Sequence, residues 1–190
     1  TTDNPLNGDY CQMVEPASGE AGVTSMPLSV KAVETYRGSI WLRAEGGANV
    51  VVRLRDGEKT LAESRFAALS AVWREFPLVL KPSSAASEAV LQIGVTGPGR
   101  VWTDQVSLVP DAAARVGGWR PDLLKSLHDL KPPLIRWPGG TFVKWYRWKD
   151  AIGPRHLRRP YPLVVWDDKD VTSVGTDEFI ALCRRLGAEP

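Results

Sequence analysis

The residues with the most chemical promise in this chain form one short run, Arg136-Trp137-Pro138-Gly139-Gly140-Thr141. Its two glycines permit positive φ and let a ligand approach the backbone closely. Their amides and the Thr141 hydroxyl can donate hydrogen bonds to a hydroxylated ligand such as a sugar. The apolar residues before the run read as a short buried strand, which puts Arg136 at its end. A buried guanidinium needs an anionic partner, and a catalytic carboxylate or a structural aspartate would serve. The region does not offer a pair of carboxylates placed for acid–base work. Asp150, Asp167, Asp168, Asp170, Asp177, Glu178 and Glu189 are its acidic residues, and none follows a predicted buried strand end. Asp177 and Glu178 read as charges at a helix N-terminus, and Asp167, Asp168 and Asp170 as a solvated loop. No catalytic residue is assigned within the chain.

Tryptophan supplies the second chemical signal. Eight are present, four of them between Trp137 and Trp166 in a stretch rich in turn residues. An indole offers a flat apolar face on which the C–H face of a sugar ring can stack. Upstream, Trp41, Trp73 and Trp102 are read first as packing and second as a stacking platform for a glycan. Other chemistries find less support. Two cysteines, Cys11 and Cys183, and two histidines, His128 and His156, give no ligand-like spacing, so no metal site is expected. No cofactor motif is present. Cys11 and Cys183 are expected to be reduced thiols, Cys183 on the buried face of a helix.

Composition narrows the partners. Among 190 residues, 24 basic and 22 acidic side chains nearly cancel, so no broad field attracts nucleic acid or an anionic membrane. No run approaches ~18 apolar residues, so no membrane span is expected. The first residues lack the basic-then-apolar layout of a secretion signal, and the sequence carries no cellular address.

Two kinds of element position these residues. From 28 to 109 the pattern is that of short strands. Tyr36, Ile40 and Leu42 fall on one face with Trp41 and Arg43 on the other, and Asn49–Phe66 reads as a hairpin turning at Asp56-Gly57. The run 83–90 could form a helical turn. Such strands predict a β-sandwich or jelly roll over residues 1–110. From 111 to 190 the period becomes helical. Pro121 opens a helix that carries Leu123, Leu124, Leu127 and Leu130 on one stripe. Thr176 is expected to cap a second helix whose apolar face is Phe179, Ile180, Cys183 and Leu186, with Gly187 as its stop. Helix, strand, loop, helix is the rhythm of a βα-repeat fold, and the expected architecture is an incomplete piece of a (β/α)8 barrel.

The run GWRPDLLKSLHDLKPPLIRWPGGTFVKWYRWKDAIGPRHLRRP, continuing to GTDEFIALCRRLGAEP, resembles glycoside hydrolase family 51. The RWPGG turn, the Trp148–Pro154 segment, GTDEF and LGAEP occur in the family's order and at similar spacing. Upstream, NPLN, ETYRGSIWLRA and VWTDQVSLVP resemble a carbohydrate-binding-like sandwich inserted in some members. The resemblance implies a retaining mechanism with two glutamates on later barrel strands, beyond Pro190, and a substrate-binding glutamate before Thr1. It implies that Arg136 supports the nucleophile and that Gly140 and Thr141 line the sugar subsite. Several members carry Cys or Asn where Thr141 stands. Trp166 matches a tryptophan near that subsite, although its flanks depart from the family's usual W-G-G.

The expected function is that of part of an enzyme releasing α-L-arabinofuranosyl residues from plant polysaccharides. The partners are an arabinose-containing carbohydrate and the rest of the barrel, in the parent protein or another chain. The alternatives are an endo-β-1,4-glucanase of the same family, or a module that binds carbohydrate or braces the barrel without cleaving anything. The resemblance points to a bacterial polysaccharide-degrading system working outside the cytoplasm.

Overall fold

Alternation of apolar and polar side chains builds the first of two units in the computed structural model, which describes residues 1–67, 69–163 and 168–190. The unit spans Thr1–Arg115. Its strands are β1 (Gln12–Val14), β2 (Glu20–Thr24), β3 (Leu28–Val30), β4 (Tyr36–Gly46), β5 (Asn49–Asp56), β6 (Lys59–Phe66), β7 (Arg74–Leu80), β8 (Ala86–Thr96) and β9 (Gly99–Pro110). They form two antiparallel sheets, ordered β1-β9-β4-β7 and β2-β8-β5-β6, with β3 paired to β8. Ile40, Leu42 and Ala44 of β4 meet Val50, Val52 and Leu54 of β5 in one core, joined by Leu78, Leu80, Val95 and Val101. This is a β-sandwich, as the alternation predicts.

Three local details differ from the sequence expectation. The run 83–90 is not helical, since β8 begins at Ala86 and pairs with β5 and β3. In the hairpin, Asp56 pairs with Lys59, so the loop residues are Gly57, at φ +54°, and Glu58. Two strands, β1 and β2, were not foreseen, because their short, partly polar runs carry little alternation signal. A short helix, α1 (Asp111–Ala114), closes the unit, with the Asp111 carboxylate bridging Arg37 and Arg115.

The second unit spans Val116–Pro190. It contains α2 (Pro121–Leu130), three 3-10 turns at Gly140–Lys144, Trp148–Ala151 and Arg155–Leu157, a small hairpin of β10 (Tyr161–Leu163) and β11 (Asp168–Asp170), and α3 (Thr176–Leu186). Pro121 occupies the first turn of α2, and Gly187 ends α3 in the left-handed conformation. Leu134 pairs in parallel with Glu189, the Ile135 amide donating to the Glu189 carbonyl (2.9 Å) and the Glu189 amide to the Pro133 carbonyl (3.0 Å). A parallel bridge connected through a helix is a βαβ arrangement.

That bridge also corrects the expected buried strand. Leu134 is 65% exposed, because a single parallel bridge covers little of its side chain. The leucine stripe of α2 is likewise mostly open: Leu124 is buried, whereas Leu123 and Leu130 are exposed within this chain.

The sandwich core dominates the first unit's stability. Ile40 is wholly buried between the sheets, so Ile40→Ala is expected to cost about 3 kcal/mol. Urea unfolding followed by near-UV dichroism measures the loss, and a change below about 1 kcal/mol would show that the site collapses around the truncation.

Candidate functional site

The Arg136–Thr141 run leaves the Leu134 bridge at its C-terminal end, where βα folds place their chemistry. Trp137 turns inward. Its ring meets Tyr146 edge-on (4.7 Å between centroids) and lies tilted against Phe179 of α3 (5.4 Å), while Tyr146 also contacts Phe142 (5.5 Å). Trp137 therefore anchors the turn on α3, and the bond to Pro138 is cis. Beyond this anchor the turn is open. Gly139, Gly140 and Thr141 are exposed, and Gly140 takes φ +59°. Arg136 is exposed too, and no carboxylate among the described residues forms an ion pair with it. The expected buried guanidinium is thus a surface one, because the strand that would bury it consists of one bridge. Trp166 lies outside the described residues.

A different arginine is buried. Arg158 is 3% exposed, and its donors are met inside the fold. Its Nε donates to the Gly153 carbonyl (2.9 Å) and its Nη1 to the Thr172 carbonyl (3.1 Å). Its guanidinium also grips both oxygens of Glu178, at 2.8 and 2.9 Å. Glu178 in turn accepts the Gly175 amide (2.8 Å), so Gly175, rather than Thr176, is the N-cap of α3. A side chain at Gly175 would place its Cβ 1.8 Å from the Ala151 carbonyl oxygen, which is why glycine stands there. Burial opposes ionisation of Glu178. The Arg158 hydrogen bonds and the Gly175 amide outweigh it, and the pKa falls to about 2. This clamp ties residues 153, 158 and 172 to the start of α3, the helix on which Trp137 packs. Sequence reading saw only a helix-terminal charge in Glu178, since Arg158 sits in a basic run that looks solvated. The Glu at the third helical position was the one available signal.

The three sandwich tryptophans present no open platform. Trp102 is 1% exposed, with the Arg43 guanidinium 3.8 Å above its ring, so the stacking role read from the sequence does not fit it. Arg43 also faces Trp73 (5.5 Å) and binds the Asp3 carbonyl (2.6 Å) and carboxylate (3.1 Å). Trp73 donates its indole N–H to the Asn4 carbonyl (2.9 Å). The N-terminal segment thus runs over this face of the sheet, and Trp41 is half-buried there. In the second unit Trp145 and Trp148, which sequence reading counted but did not assign, are exposed. Burial raises the pKa of both the Cys11 and Cys183 thiols, which suits packing rather than nucleophilic roles. Among the described residues, no three His, Cys, Asp or Glu side chains gather to hold a metal.

Comparison with known proteins bears on this geometry. The family model for the α-L-arabinofuranosidase 1 domain matches residues 126–190. α-L-Arabinofuranosidase 1 of Arabidopsis thaliana is 30% identical over 174 residues, covering 86% of this chain and 26% of that protein. α-L-Arabinofuranosidase C of Emericella nidulans is 38% identical over 97 residues, covering 51% of this chain and 17% of that protein. The arabinose-bound structure of a family 51 α-L-arabinofuranosidase superposes on 99% of this chain and 34% of its own, with TM-score 0.83 and 20% identity, which establishes a shared fold. The chain is a glycoside hydrolase family 51-like sequence. It spans about a quarter of the length of the Arabidopsis relative. In this family 51-like chain the region matched by the family model contains both the open turn and the Arg158–Glu178 clamp.

The clamp makes the second unit acid-sensitive. A folded-state pKa near 2, below the ordinary 4.5, contributes stability that is present above pH 4.5 and lost as pH falls toward 2. The expected loss is about 3 kcal/mol, seen as faster amide exchange in α3. Glu178→Gln should already lack that stability at neutral pH and flatten this part of the acid profile. Superimposable profiles for the two proteins would show that the pair contributes nothing.

Proposed function

We propose that this chain is part of a retaining glycoside hydrolase that releases α-L-arabinofuranosyl residues from plant polysaccharides. The observation that carries this reading is the 30% identity to an α-L-arabinofuranosidase across 174 residues, both units included. In this reading residues 1–110 are a carbohydrate-binding-like sandwich and residues 111–190 open a (β/α)8 barrel. The parallel pairing of Leu134 with Glu189 across α3 supports the barrel assignment, because barrels are built by repeating that unit.

The turn then contributes to sugar binding rather than to bond cleavage. Gly140 leaves the backbone open to a sugar hydroxyl, and the exposed Thr141 hydroxyl can donate or accept a hydrogen bond beside it. Arg136, exposed at the strand end, is free to approach the nucleophile's carboxylate and hold it ionised. The family resemblance assigns Trp166, which lies outside the described residues, a part in the same subsite. The acid/base and nucleophile glutamates come from other strands of the parent enzyme. One carboxyl group protonates the departing oxygen and the other forms the covalent glycosyl intermediate that water resolves. The clamp of Arg158 on Glu178 keeps α3 in place, and with it the ring of Trp137 under the turn.

Turnover of an aryl α-L-arabinofuranoside tests this reading. The 190-residue chain alone is expected to be inactive, and the full parent enzyme active. In the parent enzyme, Arg136→Ala should lower kcat by about 100-fold with a smaller change in KM. Thr141→Ala should raise KM by roughly threefold to tenfold, as expected for one lost hydrogen bond. Hydrolysis by the isolated chain, or a parent enzyme that cleaves β-1,4-glucan and not the arabinofuranoside, would overturn it.

A further inference from the structure

The outer face of the sheet β2-β8-β5-β6 carries a feature that the hydrolase reading does not use. Three rows of residues cross this face in register. Glu20, Thr96 and Asn49 form one; Gly22, Gly94, Val51 and Arg65 the next; Thr24, Gln92, Arg53 and Glu63 the third. The middle row has two adjacent positions without side chains, so the face dips between its longer neighbours. The depression has a volume of about 310 Å³, at the small end of ligand clefts. Val51 gives it an apolar floor, while Phe66 beside it stands opposite core-facing Val50 and turns its ring inward against Phe76 (5.5 Å).

Its charged lining, Glu20, Arg53 and Arg65, is already paired and is neutralised by Glu63 just beside it. Arg53 binds both oxygens of Glu20, reaches Gln92 (3.3 Å) and lies 3.5 Å from the Glu63 carboxylate. Arg65 pairs with the other side of Glu63 at 2.8 Å. Two cations and two anions cancel. An anionic ligand would have to displace Glu20 or Glu63 from arginine, and a cationic one would have to displace an arginine. A polyol suffers neither penalty, since each hydroxyl can donate to a carboxylate and accept from a guanidinium without breaking a pair. The Asn49 amide and Thr96 hydroxyl at the rim add further donors and acceptors, while Val51 suits the C–H face of a sugar ring. We propose that this groove binds a neutral oligosaccharide. The opposite sheet, where the tryptophans suggest a glycan site, has its Arg43–Trp102 stack covered. The groove lies wholly within the sandwich, so its occupancy is independent of whether the parent protein hydrolyses arabinofuranosides.

Titration calorimetry of the 190-residue chain with arabinohexaose, xylohexaose and a hexagalacturonide tests this, with amide shifts recorded in parallel. At least one neutral probe should bind with a millimolar or tighter Kd, moving the amides of Val51 and Gly94, and the acidic probe should bind at least about tenfold more weakly. Asn49→Ala and Arg65→Ala alter exposed side chains and should each weaken binding about threefold, and together about tenfold. Gly94→Ala would set a Cβ 2.4 Å from the Glu20 carboxylate, displacing the Glu20–Arg53 pair, and should weaken binding at least as much. Trp73→Ala, on the other sheet, should leave affinity unchanged. Absence of binding by both neutral probes, preference for the acidic one, or loss on Trp73→Ala with the groove variants unaffected would overturn the proposal.

Discussion

Burying one guanidinium organises the second unit. Removing the Arg158 charge from water is costly unless its donors are met, and they are met by carbonyls at positions 153 and 172 and by Glu178 at the start of α3. Segments far apart in the chain must therefore come to one point. The same carboxylate caps α3 through the Gly175 amide, so one ionised group both starts the helix and holds the loop that precedes it. Trp137 then packs on Phe179, one residue after Glu178 in the same helix, and this contact seats the Arg136–Thr141 turn. Losing either member of the pair would leave the other charge buried, which is why the arrangement responds as a unit.

The sandwich manages buried charge by a different route. On the sheet β1-β9-β4-β7, Arg43 is covered by the N-terminal segment and sits over the Trp102 ring, combining an ion pair with cation–π contact. On the other sheet the charges remain partly wet and cancel pairwise across β2, β5 and β6. The first face is closed by aromatic packing, and the second is left indented where two glycines meet in register. The more open face of this unit is thus the polar one, while Trp73 and, through Arg43, Trp102 help to hold the N-terminal segment.

Among the described residues, neither unit brings two carboxylates together at a strand end. The exposed turn offers amides, a hydroxyl and a guanidinium, groups suited to binding and orienting a hydroxylated ligand. The relatives that this chain matches are several times longer. The exposed leucines of α2 and the lightly covered Leu134 belong to the same picture, since a βα unit buries its apolar faces fully only against further units.

Much of this was already legible in the chain. Period-two alternation from residue 28 onward placed β4, β5 and the β5–β6 hairpin, because burying one face of a strand forces every second residue to be apolar. Pro121 and Gly187 marked helix ends through backbone geometry alone. The Gly-Gly turn announced itself by composition, and its exposure agrees with that reading. Tertiary structure decided what depended on distant partners. Whether Arg136 or Arg158 was the buried arginine could not be read from charge, since both sit among basic or aromatic neighbours; only folding brought Glu178 to Arg158. The fate of Trp102 turned on Arg43 and Asp3, which precede it by 59 and 99 residues. A local pattern records which face of an element is apolar, whereas the partner that satisfies a charge or covers a ring is chosen by the long-range packing of strands and loops.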